Sequence, residues 1–357
     1  MRETHTVSVD HAGKRLDKVL VLLWPEHSRS QLQTWLREGH IHVDGHILSA
    51  KTRLQGGEQI SADLPDIERN TPFTPQNIPL DVLFADEHVI FVNKPAGLVV
   101  HPAAGNWDGT LLNGLLFHFP EVSDLPRAGI VHRLDKETSG ILVVARTTLA
   151  YDSLVEQLQQ RQMTRLYDAV AVGQFVAGGK VNEPIDRHPK DRKRMAVRPQ
   201  GKPAVTHYRV LEKYRVHTYL RVKLETGRTH QIRVHLSHLR KPLIGDPVYG
   251  GRVKLPEGCS TETRDVIQGF QRQALHARRL TIVHPSTGKS MTWSAPLPDD
   301  LQQLINTLRL DAGLEIPAED IDPDVSQTAA DAIDADAIDD DWDDWNEDDY
   351  DVDFEYV

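Results

Sequence analysis

The chain's 357 residues exceed the length of about 250 to 300 at which a single hydrophobic core stops growing, so more than one module is expected. With 39% hydrophobic and 26% charged residues the composition is that of a globular protein, apolar runs such as Val19 to Trp24 are far too short to span a bilayer, and the single Cys259 excludes an internal disulfide. The formal net charge of -11 argues against a polyanionic partner until its distribution along the chain is followed.

The first residues, MRETHTVSVD, lack the positively charged start and apolar stretch of a secretory signal, so a cytoplasmic location is expected. From Gly13 to about Ala62 the pattern predicts a small helical and hairpin module, with Ser28 or Ser30 placed to cap a helix and Gly39 to end it. Leu32, Trp35 and Leu36 recur at helical spacing and leave Arg29, Gln33 and Arg37 for the other, basic faces. In IHVDGHIL the pair Asp44-Gly45 predicts a hairpin turn, which needs positive φ at both central residues. On these residues alone the module is either RNA-binding or a generic αβ unit with a solvated charged face. A first domain is placed at residues 1–63 and a stiff linker at 64–79, where Pro65, Pro72, Pro75 and Pro79 interrupt any periodicity.

Beyond the linker, VLFADEHVIFVNKP, GILVVA, LYDAVAVG and HTYLRVKLETG read as strands, and DGTLLNGLLFHF, LAYDSLVEQLQQR and THQIRVHLSHL as helices. The expectation is an α+β domain over residues 80–310 on a mixed, mostly antiparallel sheet, closed by a helix from about Asp299 to Leu310. Residues 311–357 hold 20 Asp or Glu and no Lys or Arg, which leaves 41 basic against 32 acidic residues, a net of +9, in residues 1–310. The body is thus basic, as a polyanion binder should be, and the tail reads as disordered. Trp342, Trp345, Tyr350, Phe354 and Tyr356 interleave its acids, so it solubilises the chain, competes with a polyanion for the basic surface or docks a protein.

Chemistry concentrates between Gly129 and Gly140, where His132, Arg133, Asp135, Lys136, Glu137, Thr138 and Ser139 lead into the apolar ILVVA strand. Charged residues at the mouth of a buried strand favour a site over a solvated loop. The run RHPKDRKRMAVRPQGKP reads as a flexible basic loop that either contacts phosphate or merely solubilises. His230, His235 and His238 have spacings of five and three, which do not suit a helical metal pair, and no metal site is expected.

HRLDKETSG fits the pattern HRLD-x-x-[ST]-[ST]-G, and with NKPAGLVVHPAAGNWDGTLLN, TRLYDAVAVG, MAVRPQGKPAVTHY, ETGRTHQIRVHLSHLRKPLIGDPVYGG and ALHARRLTIVHP the chain resembles the RluA family of pseudouridine synthases over roughly residues 13 to 300. Its amino-terminal module resembles an S4 RNA-binding domain. The resemblance implies a pseudouridine synthase catalytic domain with Asp135 as nucleophile. A carboxylate in a closed pocket needs an opposing cation to stay charged, and the resemblance supplies Arg233; if Thr229 caps that helix, Ile232, Leu236 and Leu239 form its buried face. Tyr167 would pack against the target uracil and assist proton removal from carbon 5, although alone it reads as a core tyrosine. Arg133 would fill the stack left by the extruded base, or else hold the loop by a salt bridge. His132, Arg29, Arg37, Arg192, Lys193, Arg194 and Arg228 are the further RNA-binding candidates. No cofactor is implied. The S4-like module and HPAAGN-x-DGT point within the family to 23S ribosomal RNA, at the helix 69 stem-loop, as partner of a monomeric enzyme.

Overall fold

The computed structural model describes residues 2–24, 27, 29–64, 73–102, 106–191 and 193–317, with residues 29–31 by their backbone alone. The acidic tail beyond Pro317, Arg192, Ser28 and the side chain of Arg29 lie outside the described residues. The chain divides into two compact units, Met1–Asn70 and Thr71–Val357.

In the first unit β1 (Arg2–Thr6), α1 (Leu16–Leu23), α2 (Arg29–Glu38), β2 (Ile41–Val43) and β3 (Gln59–Asp63) form an antiparallel sheet of order β1-β3-β2 backed by two helices. Leu16, Leu20, Leu32, Leu36, Ile41 and Ile60 make its buried core. Gly39 ends α2 at φ +82°, and Asp44 and Gly45 turn at φ +49° and +78° as their sequence predicts. The arm after that turn meets Val43 only through an isolated bridge to His46, so the partner of β2 is β3 and not the HIL run. Gln33 is half-buried: its Nε2 donates at 2.9 Å to Asp17, a buried carboxylate that also takes Arg15.

The second unit runs β4 (Asp81–Ala85), β5 (Val89–Lys94), α3 (Leu111–His118), β6 (Ser139–Ala145), α4 (Thr148–Gln159), β7 (Thr164–Val172), β8 (Gly179–Asn182), β9 (Ile185–Arg187), β10 (Met195–Val197), β11 (Val205–Lys213), β12 (His217–Leu224), α5 (Gln231–His238), α6 (Thr261–Gly269), β13 (Leu275–Val283), β14 (Ser290–Ser294) and α7 (Asp299–Asp311). Nine strands make one sheet, in the order β4-β5-β6-β13-β7-β12-β11-β8 with β14 on β13. Every pairing in it is antiparallel except β6 with β13, through His276↔Ser139 and Ala277↔Gly140. The protein is α+β. Alternation along β7 divides the faces: Tyr167, Ala169 and Ala171 join the main core, whereas Val170 packs with α6 and α7 through Ile267, Leu304 and Leu308.

Two expectations are corrected here. The second half of the Pro-rich stretch is not a free linker, because Gln76 and Ile78 are bonded to α3 through Asn113 and His118, and Asn113 Nδ2 donates to Thr74. The basic run is not a shapeless loop, since β9 and β10 pair from Arg187↔Met195 to Ile185↔Val197.

Candidate active site

The segment from Val131 to Thr138 leads into β6 through a turn in which the Thr138 N–H donates to the Asp135 carbonyl at 3.1 Å. Residues far away in sequence hold each step of it. The Lys136 carbonyl accepts from Lys94 Nζ at 3.0 Å and from the Gly97 N–H at 2.9 Å, and the Glu137 carbonyl from Arg272 Nη1 at 3.3 Å. Thr138 Oγ1 accepts from Gln273 Nε2 at 3.0 Å. Ser139 Oγ lies 3.0 Å from His276 Nδ1, whose other nitrogen faces the Ala295 carbonyl. Burial pulls the His276 pKa down to about 3, so the neutral ring donates from Nε2 and accepts from Ser139. Lys94 is fully buried with its ammonium also on the Pro95 and Leu98 carbonyls; burial draws its pKa to about 7, opposed by Glu137 and Asp135. Gly140 permits the close approach of β6 to β13, because a Cβ there would lie 2.2 Å from the Ala277 carbonyl oxygen.

The Asp135 side chain is 20% exposed, and its Oδ2 lies 3.0 Å from Arg233 Nη1. Arg233, buried on α5, is aimed by Asp246, whose two oxygens take its Nε at 2.7 Å and Nη2 at 2.9 Å. Asp246 in turn accepts the Val248 and Tyr249 N–H groups. Burial, the largest single influence on Arg233, is outweighed by Asp246 and Asp135, which hold the guanidinium charged. The carboxyl of Asp246 likewise ends below its usual range, because Arg233 and the two N–H groups overcome the cost of burial.

Thr229 does not cap α5. That place is taken by His230, left-handed at φ +57°, while Gln231 Oε1 accepts from the Arg228 N–H and the Thr226 hydroxyl. The Tyr249 hydroxyl accepts from the Met195 N–H at 2.7 Å and reaches His230 Nδ1 at 2.8 Å, leaving Nε2 3.8 Å from Asp135 Oδ1. Burial lowers the His230 pKa, the Asp135 charge opposing it. The three histidines diverge: His235 is buried between Thr206 Oγ1 and the Glu183 carbonyl.

A cleft of about 530 Å³, large enough for a nucleoside, is lined by Asp135, Arg233, Tyr167, Arg165, Arg133 and Arg228 among others. Tyr167 is 7% exposed on β7, and burial raises its phenol pKa with Arg165 opposing, so it is neutral. Arg133 is exposed and carries no hydrogen bond or ion pair among the described residues. His132 lines the cleft but is no cation for phosphate: its Nε2 accepts the Val143 N–H at 3.1 Å, and burial, then the nearby Arg165, pull its pKa to about 3. Arg228 Nε donates to the Pro203 carbonyl. Arg194 stacks over the Tyr249 ring, 5.4 Å from its centre, and Lys193 is exposed at the turn of the β9-β10 hairpin. Arg37 is exposed on α2 in the other unit, with its guanidinium on Thr34 and the Gln33 carbonyl.

The cleft therefore holds a carboxylate at its wall, faced by a buried, charged arginine and a neutral tyrosine on the next long strand. A model of the RNA pseudouridylate synthase family matches residues 88–238, and one of the S4 domain matches residues 14–60. The chain belongs to the RluA family of RNA pseudouridine synthases. It is 52% identical over 309 residues to the ribosomal large subunit pseudouridine synthase D of Escherichia coli (strain K12), covering 86% of this chain and 94% of that one. To the protein of the same name from Xanthomonas campestris pv. campestris it is 53% identical over 301 residues, 84% and 91% of the two chains. Among solved structures, human RNA Pseudouridylate Synthase Domain Containing 4 superposes with a TM-score of 0.51 at 26% identity, over 64% of this chain and 92% of that one.

Asp246, Tyr249, His230, Lys94 and Arg165 carry no motif recognisable from their own spacing. Asp246 follows Arg233 by 13 positions and Tyr249 follows Asp246 by three, with a turn between them, so no helical or strand period links them.

Proposed function

We propose that this chain isomerises specific uridines of large-subunit (23S) ribosomal RNA, those of the helix 69 stem-loop, with Asp135 as the nucleophile. The observation that carries the reading is the 3.0 Å pair between Asp135 and the doubly anchored Arg233 at the wall of the cleft that also holds Tyr167. The choice of RNA is supported by the two relatives, whose names specify the ribosomal large subunit, and the stem-loop by the HPAAGN-x-DGT segment.

The reaction breaks the bond between uridine N1 and C1′ and joins C5 to C1′, with no redox change and no energy donor. A carboxylate can both add and leave again, which suits Asp135 to a covalent intermediate at the ribose or the base. Arg233 gives that carboxylate a fixed direction and a counterion. The flat face of Tyr167 supports the uracil, and its hydroxyl is placed to relay the proton lost from C5. Arg133, exposed and without a partner among the described residues, takes the space that the extruded base leaves in the stack. In this reading residues 1–63 and the β9-β10 hairpin grip RNA, residues 80–310 perform the chemistry, and the enzyme works as a cytoplasmic monomer.

The test is to map pseudouridines in ribosomal RNA from cells lacking the protein, then from the same cells carrying Asp135→Asn. Loss at the helix 69 positions in both is expected. Unchanged modification after deletion would remove the substrate, and normal modification with Asp135→Asn would remove the nucleophile.

A further inference from the structure

Five arginines line the cleft: Arg133, Arg161, Arg165, Arg228 and Arg233. Arg233 is spent on two carboxylates, Arg161 on Glu225, and Arg228 reaches the Pro203 carbonyl, while Arg133 is exposed at the mouth. Arg165 differs from all of them. It is 8% exposed, and among the described residues its buried Nε has no partner and Nη2 has only two long contacts, to the Leu224 carbonyl at 3.5 Å and the Glu225 carbonyl at 3.4 Å. The nearby Glu225 carboxylate is committed to Arg161 and His207. Room for Nη1 exists because Gly227 has no side chain, since a Cβ there would lie 2.7 Å away.

A buried guanidinium with five donors and no carboxylate is costly unless a ligand supplies the acceptor. Arg165 precedes Tyr167 by two residues on β7, so both side chains leave the same face of the strand, about 7 Å apart along it. With Tyr167 it lines the same cleft, and its charge acts on the Tyr167 phenol, the group that the proposed function sets against the uracil.

We propose that Arg165 is a further catalytic residue, whose guanidinium binds a carbonyl oxygen of the target uracil and carries the negative charge that the uracil acquires during isomerisation. The inference rests on the reading of this cleft as the uridine site. If Asp135 adds to C1′, the electron pair of the broken N1–C1′ bond passes to N1 and spreads to O2 and O4. If Asp135 adds to C6, the C5–C6 pair becomes an enolate with its charge on O4. Either way an oxyanion forms on the ring: on the first route it disappears as C5 bonds to C1′ and the Asp135–C1′ ester breaks, on the second as N1–C1′ breaks, C5 bonds to C1′ and Asp135 is later expelled from C6, and on both C5 gives up its proton and N1 regains one. Donors fixed in advance at such an oxyanion commonly change rates by about 100-fold or more.

The test uses the full chain in excess over RNA segments made with uridine or with 5-fluorouridine, following loss of the N-glycosidic bond at the target position. The segment is taken from a position that the wild-type chain modifies in total RNA of deletion cells, so the result is independent of which RNA is the substrate. Asp135→Asn is run in parallel: full activity there sinks the nucleophile reading alone. Arg165→Met is expected to slow uridine conversion about 100-fold, with RNA affinity within about threefold and a melting temperature equal to or above that of wild type, because the unsatisfied charge is gone. Fluorine stabilises the uracil anion, so the same variant should lose only about tenfold on 5-fluorouridine. A conversion rate equal to wild type, an equal loss on both substrates, or a loss confined to RNA affinity would each overturn the proposal. If Arg165→Met fails to fold, Arg165→Lys, which keeps the charge without the fork, carries the same comparison between the two substrates.

Discussion

Asp246 grips Arg233 through two oxygens on the side away from the cleft, so the direction in which Arg233 meets Asp135 is set by a residue that touches no substrate. Asp246→Asn is expected to lose stability by about 3 kcal/mol, as breaking a buried pair does, and to lower the single-turnover rate on the order of 100-fold. Asp135→Asn is expected to abolish turnover with little change in melting temperature, because Arg233 keeps Asp246. Thermal unfolding and single-turnover kinetics on both variants decide this, and an Asp246→Asn enzyme as fast as wild type would refute it.

Gly140→Ala places a Cβ against the Ala277 carbonyl at a φ of +112°, a conformation that side chains rarely adopt. The β6-β13 seam must then open. A loss of about 3 kcal/mol or more in urea unfolding is expected, with activity falling alongside it.

The buried His276 gives the fold an acid limit. Its pKa falls from about 6.5 when free to about 3 when folded, so the unfolded chain binds the extra proton throughout that window. Stability from this group is complete above about pH 6.5 and is lost as pH falls toward 3, at about 1.4 kcal/mol per unit. His276→Gln should flatten the acid limb of the stability curve by that slope; an unchanged slope would show the ring to be protonated in the fold.

Binding through the β9-β10 hairpin should depend on salt. Lys193→Ala is expected to lower the slope of log affinity against log salt by about 0.7 to 0.9 for its one phosphate contact. Arg194→Ala should cost more affinity at every salt concentration, because the stack on Tyr249 is lost as well.

Residues 318–357 carry 18 Asp or Glu without a single Lys or Arg. A chain ending at Pro317 keeps the bond from the Leu314 N–H to the Arg309 carbonyl that finishes α7, and it is expected to bind non-target RNA more tightly at low salt. Equal binding by both chains in a filter assay would assign the tail no part in competing for RNA.

The strands were legible in the sequence because β5, β6 and β7 are apolar runs buried on both faces, and α4 because Ala150, Leu154 and Gln157 recur at helical spacing. Asp135 and Arg233 were legible through motif likeness across 98 positions, which no local pattern could bridge. What stayed hidden was the support. Lys94, Arg272, Gln273 and His276 reach the HRLD turn from β5 and from the approach to β13, at separations of up to 137 positions. Thr229 looked like a helix cap because its residue type suits one, yet the left-handed His230 takes that place so that its ring can meet Tyr249. Gln33 looked solvated because its partner Asp17 belongs to another helix.

In the sheet β13 lies between β6 and β7, so the strand that completes the centre is made almost last. Until Leu275–Val283 has left the ribosome, the strand that follows the Asp135 turn and the strand that bears Tyr167 lack the strand that pairs with both. A chain that stops short of Val283 therefore lacks the strand that joins the two walls of the cleft.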